Sequence, residues 1–536
     1  MASLPISGPG VYITEGPFST ITSVGPQVTP AAFFGEALRG PVVPTRIESW
    51  NQYKALFGDL SNKYDLGYAV YHFFANGGRT AYVCRVTHFT GSSKATKAAS
   101  TAVLGTIGSS ETEVNLFNFE ADNTGAWATY AAAVPSTSPE KGIKVLLTAG
   151  LRNGIPESVT GGTGTPKTFN IAVYYNGAQV ESWSEVSLDP DSAQYAPTIV
   201  NNYSSYVNIV GVNSNLTAGT AYSIKTISAG VTSTLDGTAG TDGVVTSTDW
   251  TTAVDGLDTV SGSLLINLVG VSDDTRVKYA LTYAENRGNA FVIIDPDKSL
   301  LTVTGSGSIT ALTNSYSQSS FGAVYYPMLK MPDPARSGAA TLRETYPGGA
   351  IAGLYARVEQ ERTVAKAPAG YTYDLRGVYG LSLNFTESQV GTLYTAHVNT
   401  MKTIPGGGTI INGARTLKRT DITKYVPVRR SLNYLKDNIE RITAMSVFEP
   451  NGERVWTDIN TRLSRYLSDF WAVGGLKGRN STEAFYIVCD TSNNPAYSIE
   501  NGELHVEVGV ALQSPAEFIV INISQFSGGT NTVVTV

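Results

Sequence analysis

The chain has 536 residues, with 38 basic against 44 acidic side chains, a net charge of −6 and only 15% charged residues beside 42% hydrophobic ones. Such apolar content is incompatible with global disorder, the acidic balance argues against a chain devoted to nucleic acid, and two cysteines cannot staple a disulfide framework. No apolar run approaches the ~18 residues of a spanning helix, the opening MASLPISGPGVYITEG shows no basic-then-apolar leader, and about 150 residues per domain suggests three or four domains kept in the cytoplasm.

The first patterned stretch, ESWNQYKALFG, predicts a helix. Ser49 and Gln52 have capping-box spacing, Trp50, Tyr53, Leu56 and Phe57 share one face, and Gly58 stops it. DLGYAVYHFFANGG predicts a second helix, with Leu66, Val70 and Phe73 inward and Gly77–Gly78 at its end. RTAYVCRV then alternates as a strand.

Residues 91–250 change character. They hold 7 Lys/Arg against 13 Asp/Glu, so the whole net charge of −6 sits there. The segment is rich in Ser, Thr and Gly, with β-type runs NIAVYYNG, YVNIVGVN and AYSIKTI between turn residues. It reads as a β-rich module inserted into an α/β body.

The body resumes with LLINLVGV (264–271), TRVKYALTYAENRG and NAFVIID (289–295). Two continuous apolar runs around a helix are a βαβ unit of a parallel sheet buried on both faces. Further on, VRRSLNYLKDNIERITAM carries a stripe of Leu432, Leu435, Ile439, Ile442 and Met445. A second helix, capped by Asn451, carries Val455, Ile459, Leu463, Leu467 and Phe470 or Trp471, and ends at Gly474–Gly475. Strands EAFYIVCD, LHVEVGVAL and AEFIVINISQ follow, and SGGTNTVVTV closes the chain.

Chemistry-bearing motifs are scarce. The four histidines (His72, His88, His397 and His505) form no HExxH, and CxxC, GxxxxGK[ST], GxGxxG and GxSxG are all missing. Cys84 and Cys489 lie in strands and read as buried, inert thiols. Asp273, Asp274, Asp295 and Asp297 gather near strand ends and read as solvated loop acids rather than a cation site. Residues 402–441 hold nine basic side chains against Asp421, Asp437 and Glu440, the one strong positive cluster.

Four blocks in order resemble the contractile tail sheath proteins of bacteriophages and related phage-tail-like particles. They are PGVYITE, then ESWNQYKALFG with YAVYHFFANGGRTAYVCRV, then GGAIAGLYARVEQERTVAKAPAG, and last VRRSLNYLKDNIERITAMSVFEPNGERVW with NGELHVEVGVALQSPAEFIVINISQ. Val358, Glu359, Thr363 and Ala365 depart from the family's usual Thr, Asp, Gly and Trp.

The resemblance implies an α/β and α+β multidomain fold. Its parts are an N-terminal arm (1–25), a subtilisin-like α/β middle domain (26–90 and 251–410), a β-rich inserted outer domain (91–250), an α+β C-terminal domain (411–514) and a C-terminal arm (515–536). It implies a structural subunit, not an enzyme, needing no cofactor and no metal. Stacked hexameric rings of it would surround a tail tube and contract to drive the tube through the host envelope for genome delivery. Implied partners are further copies of itself, the tube protein, and baseplate and terminator proteins, with neither nucleic acid nor membrane insertion. The expected location is the virion tail, after assembly in the host cytoplasm.

Strand exchange between subunits is expected through Val11, Tyr12 and Ile13 at one end and Val533, Val534 and Val536 at the other. Contact with the tube or a neighbour is expected from Arg429, Arg430, Lys436, Arg441, Arg462 and Arg465. Two alternatives remain: the sheath of a phage-tail-like bacteriocin or injection system, and a subtilisin-like hydrolase. The hydrolase would need a base oriented by a carboxylate, yet residues 251–410 offer only His397.

Overall fold

Strands that read as unbroken apolar runs bury both faces, and such runs build the centre of the molecule. The computed structural model describes residues 28–517 except 90–93, 108–111, 133–139, 153–154, 157–167, 221, 225–229 and 335–341. Its body is a nine-stranded sheet made from β1 (Ala31–Gly35), β2 (Thr45–Ile47), β3 (Ala81–Arg85), β4 (Leu264–Leu268), β5 (Ala290–Ile294), β6 (Gly322–Tyr326), β7 (Asp374–Leu375), β8 (Val398–Ile404) and β9 (Gly408–Asn412). The order is β7-β9-β8-β6-β5-β4-β1-β3-β2. Neighbours from β3 through β8 run parallel, while β2 at one side and β9 and β7 at the other are antiparallel.

Helices cover both faces, as a parallel sheet requires. On one face lie α1 (Trp50–Phe57), α2 (Leu66–Ala75) and α4 (Gly348–Glu361), with Tyr53, Phe73, Leu354 and Tyr355 in a shared core. On the other, α3 (Asp274–Arg287) and the helix Ser247–Asp255 bring Val277, Leu281, Trp250 and Val254 against Ile266 and Val292. The predicted βαβ unit is β4–α3–β5, and Gly288 ends α3 in the left-handed conformation with φ 76°. Ser49 caps α1 as expected from its spacing, accepting from the Gln52 amide at 3.3 Å.

α4 is buried from Gly348 to Glu359, on every side. Its glycines allow that. A Cβ on Gly349 would stand 2.1 Å from the Ala69 carbonyl oxygen, and one on Gly353 2.4 Å from that of Phe73, so α2 and α4 touch backbone to backbone. The strand expected to alternate, β3, corrects that expectation. Ala81, Val83, Cys84 and Arg85 are all buried, because β3 lies inside the sheet between β1 and β2 rather than on a wetted face.

Among the described residues, the strands between 103 and 234 form two antiparallel four-stranded sheets and a short ribbon of Leu151–Arg152 with Ile155–Pro156, and Leu116, Phe117, Phe119, Val145, Ile171, Val173 and Val207 make a core of their own. Arg39, just after β1, ties the module to α1 of the body. Arg39 donates to the carbonyls of Ser205 (3.0 Å) and Ala55 (2.8 Å) and lies 4.1 Å from the Tyr206 ring centre. Within the body, His88 Nδ1 sits 2.9 Å from Asp249 on the helix Ser247–Asp255.

The C-terminal lobe is built on two long helices and two strands, α6 (Val426–Thr443), α7 (Glu453–Ala472), β10 (Phe485–Val488) and β11 (Glu507–Val510), with short helices at Ser481–Ala484 and Ala496–Glu500; α5 (Glu387–Thr395) belongs to the body before it. The α6 stripe differs from expectation. Val426, Val428, Arg430, Ser431, Asn433, Leu435 and Asn438 are buried, whereas Leu432, Ile439 and Ile442 are half-buried and Met445 is exposed. α6 is buried on two sides because it lies between the body and α7, so a single amphipathic stripe misjudges it. On α7 Trp456 replaces Val455 in the stripe. Gly452 is its cap, and Asn451 Oδ1 accepts from Trp456 Nε1 at 2.9 Å instead.

Candidate assembly surface

In the lobe's core, Val364, Leu435, Leu467, Phe470, Leu476 and Ala484 form a buried cluster beside the buried Trp456, Ile459 and Leu463 of α7, and Phe485, Ile487, Val508 and Val510 are only half-covered. β10 and β11 pair antiparallel, Phe485 opposite Val510 and Val488 opposite Glu507. Among the described residues no third strand joins them. A two-stranded ribbon is marginal alone. Here Asn460 Nδ2 of α7 ties it down by donating to the Cys489 carbonyl (3.0 Å), and Asn493 and Asn494 close its end on the carbonyls of Val488 and His505. An edge held this way, with a half-covered apolar face, is a template for strand addition. The expected exchanging residues Val11, Tyr12, Ile13, Val533, Val534 and Val536 lie outside the described residues.

The six cationic contact residues divide. Arg430 is overturned as a surface group: it is 3% exposed, its Nη2 lies 2.7 Å from Glu359 Oε2, and its guanidinium stands 4.5 Å from the Tyr355 ring centre. Glu359 Oε1 also accepts from Thr29 N (3.2 Å) and Thr29 Oγ1 (2.8 Å). Arg429 is half-buried over Phe321, 4.3 Å from the ring centre, and burial lowers its pKa. Helix periodicity carries both into the seam between α6 and the body. Lys436, Arg441, Arg462 and Arg465 are exposed on α6 and α7. Arg441 pairs with Asp437 at 3.2 Å and Arg462 with Asp458 at 2.8 Å, one helical turn apart in each case. Such exposed pairs contribute about 0–1 kcal/mol each and leave the cations available to a partner.

Asp295 also corrects the reading of loop acids. It is fully buried at the N-terminus of α4, where Oδ1 accepts from the Gly348 amide (2.8 Å) and Oδ2 from Asn267 Nδ2 (2.9 Å). Burial raises its pKa to about 6, against the opposing pull of those donors. Asp273 caps α3 by accepting from the Arg276 amide at 3.0 Å. Among the described residues no cluster of three or more His, Cys, Asp or Glu side chains is placed to hold a metal ion. His397 is buried with Nδ1 2.8 Å from the Thr416 carbonyl oxygen, where a catalytic imidazole would face a carboxylate. Burial pushes the Cys84 thiol up to about 12 and raises Cys489 too, which keeps both protonated.

Two groups carry no clear signal in the sequence. Glu359 stands out there only as a departure from a motif, and the cluster of Tyr394, Arg415 and Glu517 has no local pattern, since its members lie 102 and 123 residues from Glu517.

Residues 419–526 match the phage tail sheath C-terminal domain. A tail sheath protein of Vibrio phage KVP40 is 27% identical over 176 residues, 32% of this chain and 25% of that protein, so the chain spans about a quarter of this curated relative's length. The fold is similar to the contracted sheath of the extracellular contractile injection system PVC, with TM-score 0.57 and 21% identity over 97% of this chain and 98% of that one. It is also similar to a chain of the sixfold-symmetrised baseplate of the anti-feeding prophage, with TM-score 0.54 and 20% identity over 98% of this chain and 100% of that one.

Proposed function

We propose that this chain, with a phage tail sheath C-terminal domain over 419–526 and the fold of contractile sheath proteins, is a structural subunit of a contractile sheath. It polymerises as stacked hexameric rings around a tail tube and contracts to drive the tube through an envelope. The observation that carries this reading is the fold likeness along nearly the whole chain together with the matched C-terminal domain. The division into arms, α/β core, inserted outer module and inner C-terminal domain is part of the proposal, as is a subtilisin-like fold for the core.

Contraction draws on a metastable extended lattice and needs no nucleotide. Subunits are joined by arms that add strands to the neighbour's β10–β11 ribbon, and a ribbon of only two strands among the described residues supports this. Exposed Lys436, Arg441, Arg462 and Arg465 face the tube or a neighbour. Likeness to a baseplate chain supports docking of the sheath on a baseplate, and a terminator would cap its other end. The sheath takes its place in the particle's tail after assembly in the host cytoplasm. The likeness to PVC and the anti-feeding prophage favours an injection particle as the second reading, with the same mechanics.

Negative-stain electron microscopy of the purified protein, alone and with tube protein, tests the proposal. Tubes are expected; monodisperse particles in both samples would overturn it, and turnover of general peptidase or esterase substrates would favour the hydrolase.

A further inference from the structure

After β11 the chain runs beside the lobe for three residues. Ala511 N donates to the Ala484 carbonyl (2.8 Å), the Ala511 carbonyl accepts from Lys477 N (2.7 Å), and Gln513 Nε2 donates to the Leu476 carbonyl (3.0 Å). From Gln513 onward no described side chain enters a hydrophobic cluster. Yet at Glu517, the last described residue, the chain is seized by the α/β body.

The Glu517 carboxylate accepts a forked pair of bonds from Arg415, Nη2 to Oε2 at 2.8 Å and Nε to Oε1 at 3.2 Å. Tyr394 OH at the end of α5 donates to the same carboxylate, and the Arg415 guanidinium lies 3.6 Å from the Tyr394 ring centre. Arg415 and Glu517 are 15% and 14% exposed. Burial opposes the Glu517 charge, but Arg415 and Tyr394 outweigh it and hold the carboxyl below its ordinary range. Arg415 is itself immobilised, since its amide donates to Asn399 Oδ1 and its carbonyl accepts from Asn399 Nδ2, both at 2.7 Å, on β8 of the central sheet. A forked, stacked, shielded ion pair is the strong kind. Here it holds no core together; what it fixes is the path of the chain.

We propose that Arg415, Tyr394 and Glu517 form the anchor of the C-terminal arm, fixing on the α/β body the point from which residues 518–536 leave to engage a second copy of this chain. This rests on the sheath reading above. A linker between subunits passes displacement from one to the next only if its root cannot slide. With the anchor broken, the nearest tie is Gln513, and at about 3.3 Å per extended residue the linker gains on the order of 13 Å of slack.

The experiment compares full-length wild type, Glu517→Gln, Arg415→Gln and the swap Arg415→Glu/Glu517→Arg, first by monomer melting and then by diffraction from sheaths assembled with tube protein. Monomers are expected to melt as wild type does. The single variants assemble but lose the high-order layer lines, and the swap regains them. Should a single variant melt early, Tyr394→Phe, which removes one donor, is read instead and is expected to lose the outermost lines. Wild-type layer lines in all variants, or a swap that restores nothing, would overturn the anchor. Removing 518–536 separates the two levels. If that truncation still yields ordered sheaths, the arm reading fails; if it abolishes assembly while the anchor variants diffract like wild type, only the anchor fails.

Discussion

Arg430 and Glu359 meet at 2.7 Å with 3% of each side chain exposed, joining the first turns of α6 to the last turn of α4. The pair closes the seam between the C-terminal lobe and the body, and Thr29, just before β1, completes it with two bonds to the same carboxylate. Removing one partner of a buried pair strands the other. Glu359→Leu or Arg430→Met alone is therefore expected to cost about 3–5 kcal/mol, and the two together far less than the singles summed. Denaturant unfolding of the four monomers measures the coupling; strictly additive losses would contradict it.

This pair also changes what charge reversal should do. Reversal at Arg430 is expected to destabilise the monomer, whereas reversal of Lys436, Arg441, Arg462 and Arg465 should leave its melting within about 0.5 kcal/mol per site. If those four face the tube, their reversal weakens sheath–tube association most at low salt, where screening is least. Co-sedimentation with tube protein across a salt series reads the difference.

Asp295 predicts a pH signature. Its carboxyl titrates near 6 in the folded chain and near 3.9 when unfolded, so the folded state binds the extra proton between those values. Its favourable contribution is complete below about pH 4 and is lost as pH rises through about 6. Asp295→Asn removes this dependence, so the variant should gain on wild type between pH 4 and 7. Parallel melting curves at several pH values test the sign; a constant offset would refute it.

Two glycines in helices should respond oppositely to alanine. Gly349→Ala drives a Cβ to 2.1 Å from the Ala69 carbonyl oxygen and forces α2 and α4 apart, a loss of more than about 3 kcal/mol. Gly391 in α5 has nothing within 4 Å of the new methyl, so Gly391→Ala is expected to stabilise by about 0.5–1 kcal/mol. Thermal melting of the two variants compares them directly.

The half-covered β10–β11 ribbon of the C-terminal lobe predicts uneven stability. Leu467→Ala should cost about 2–5 kcal/mol, felt first in the lobe. Hydrogen exchange should then quicken in α7 and β10 before β4 and β5; uniform quickening would show one cooperative unit.

Features set by neighbours in the chain are legible in the amino-acid sequence itself. Ser49 caps α1 because its hydroxyl reaches an amide three residues on, Gly288 ends α3 because only a residue free of Cβ strain takes φ 76° readily, and LLINL and AFVII pair as buried parallel strands. The charge arithmetic likewise locates the acidic β-rich segment. What the tertiary structure alone decides are encounters between distant segments. Arg430 reads as a surface cation until Glu359, 71 residues away, is placed against it. Asp295 reads as a loop acid until the first turn of α4 and Asn267 enclose it. The α6 stripe misleads because periodicity reports one buried face, and the body and α7 together bury two. Hydrogen bonds within a turn are written in local spacing, but whether a charge is wet or dry depends on which surface folds over it.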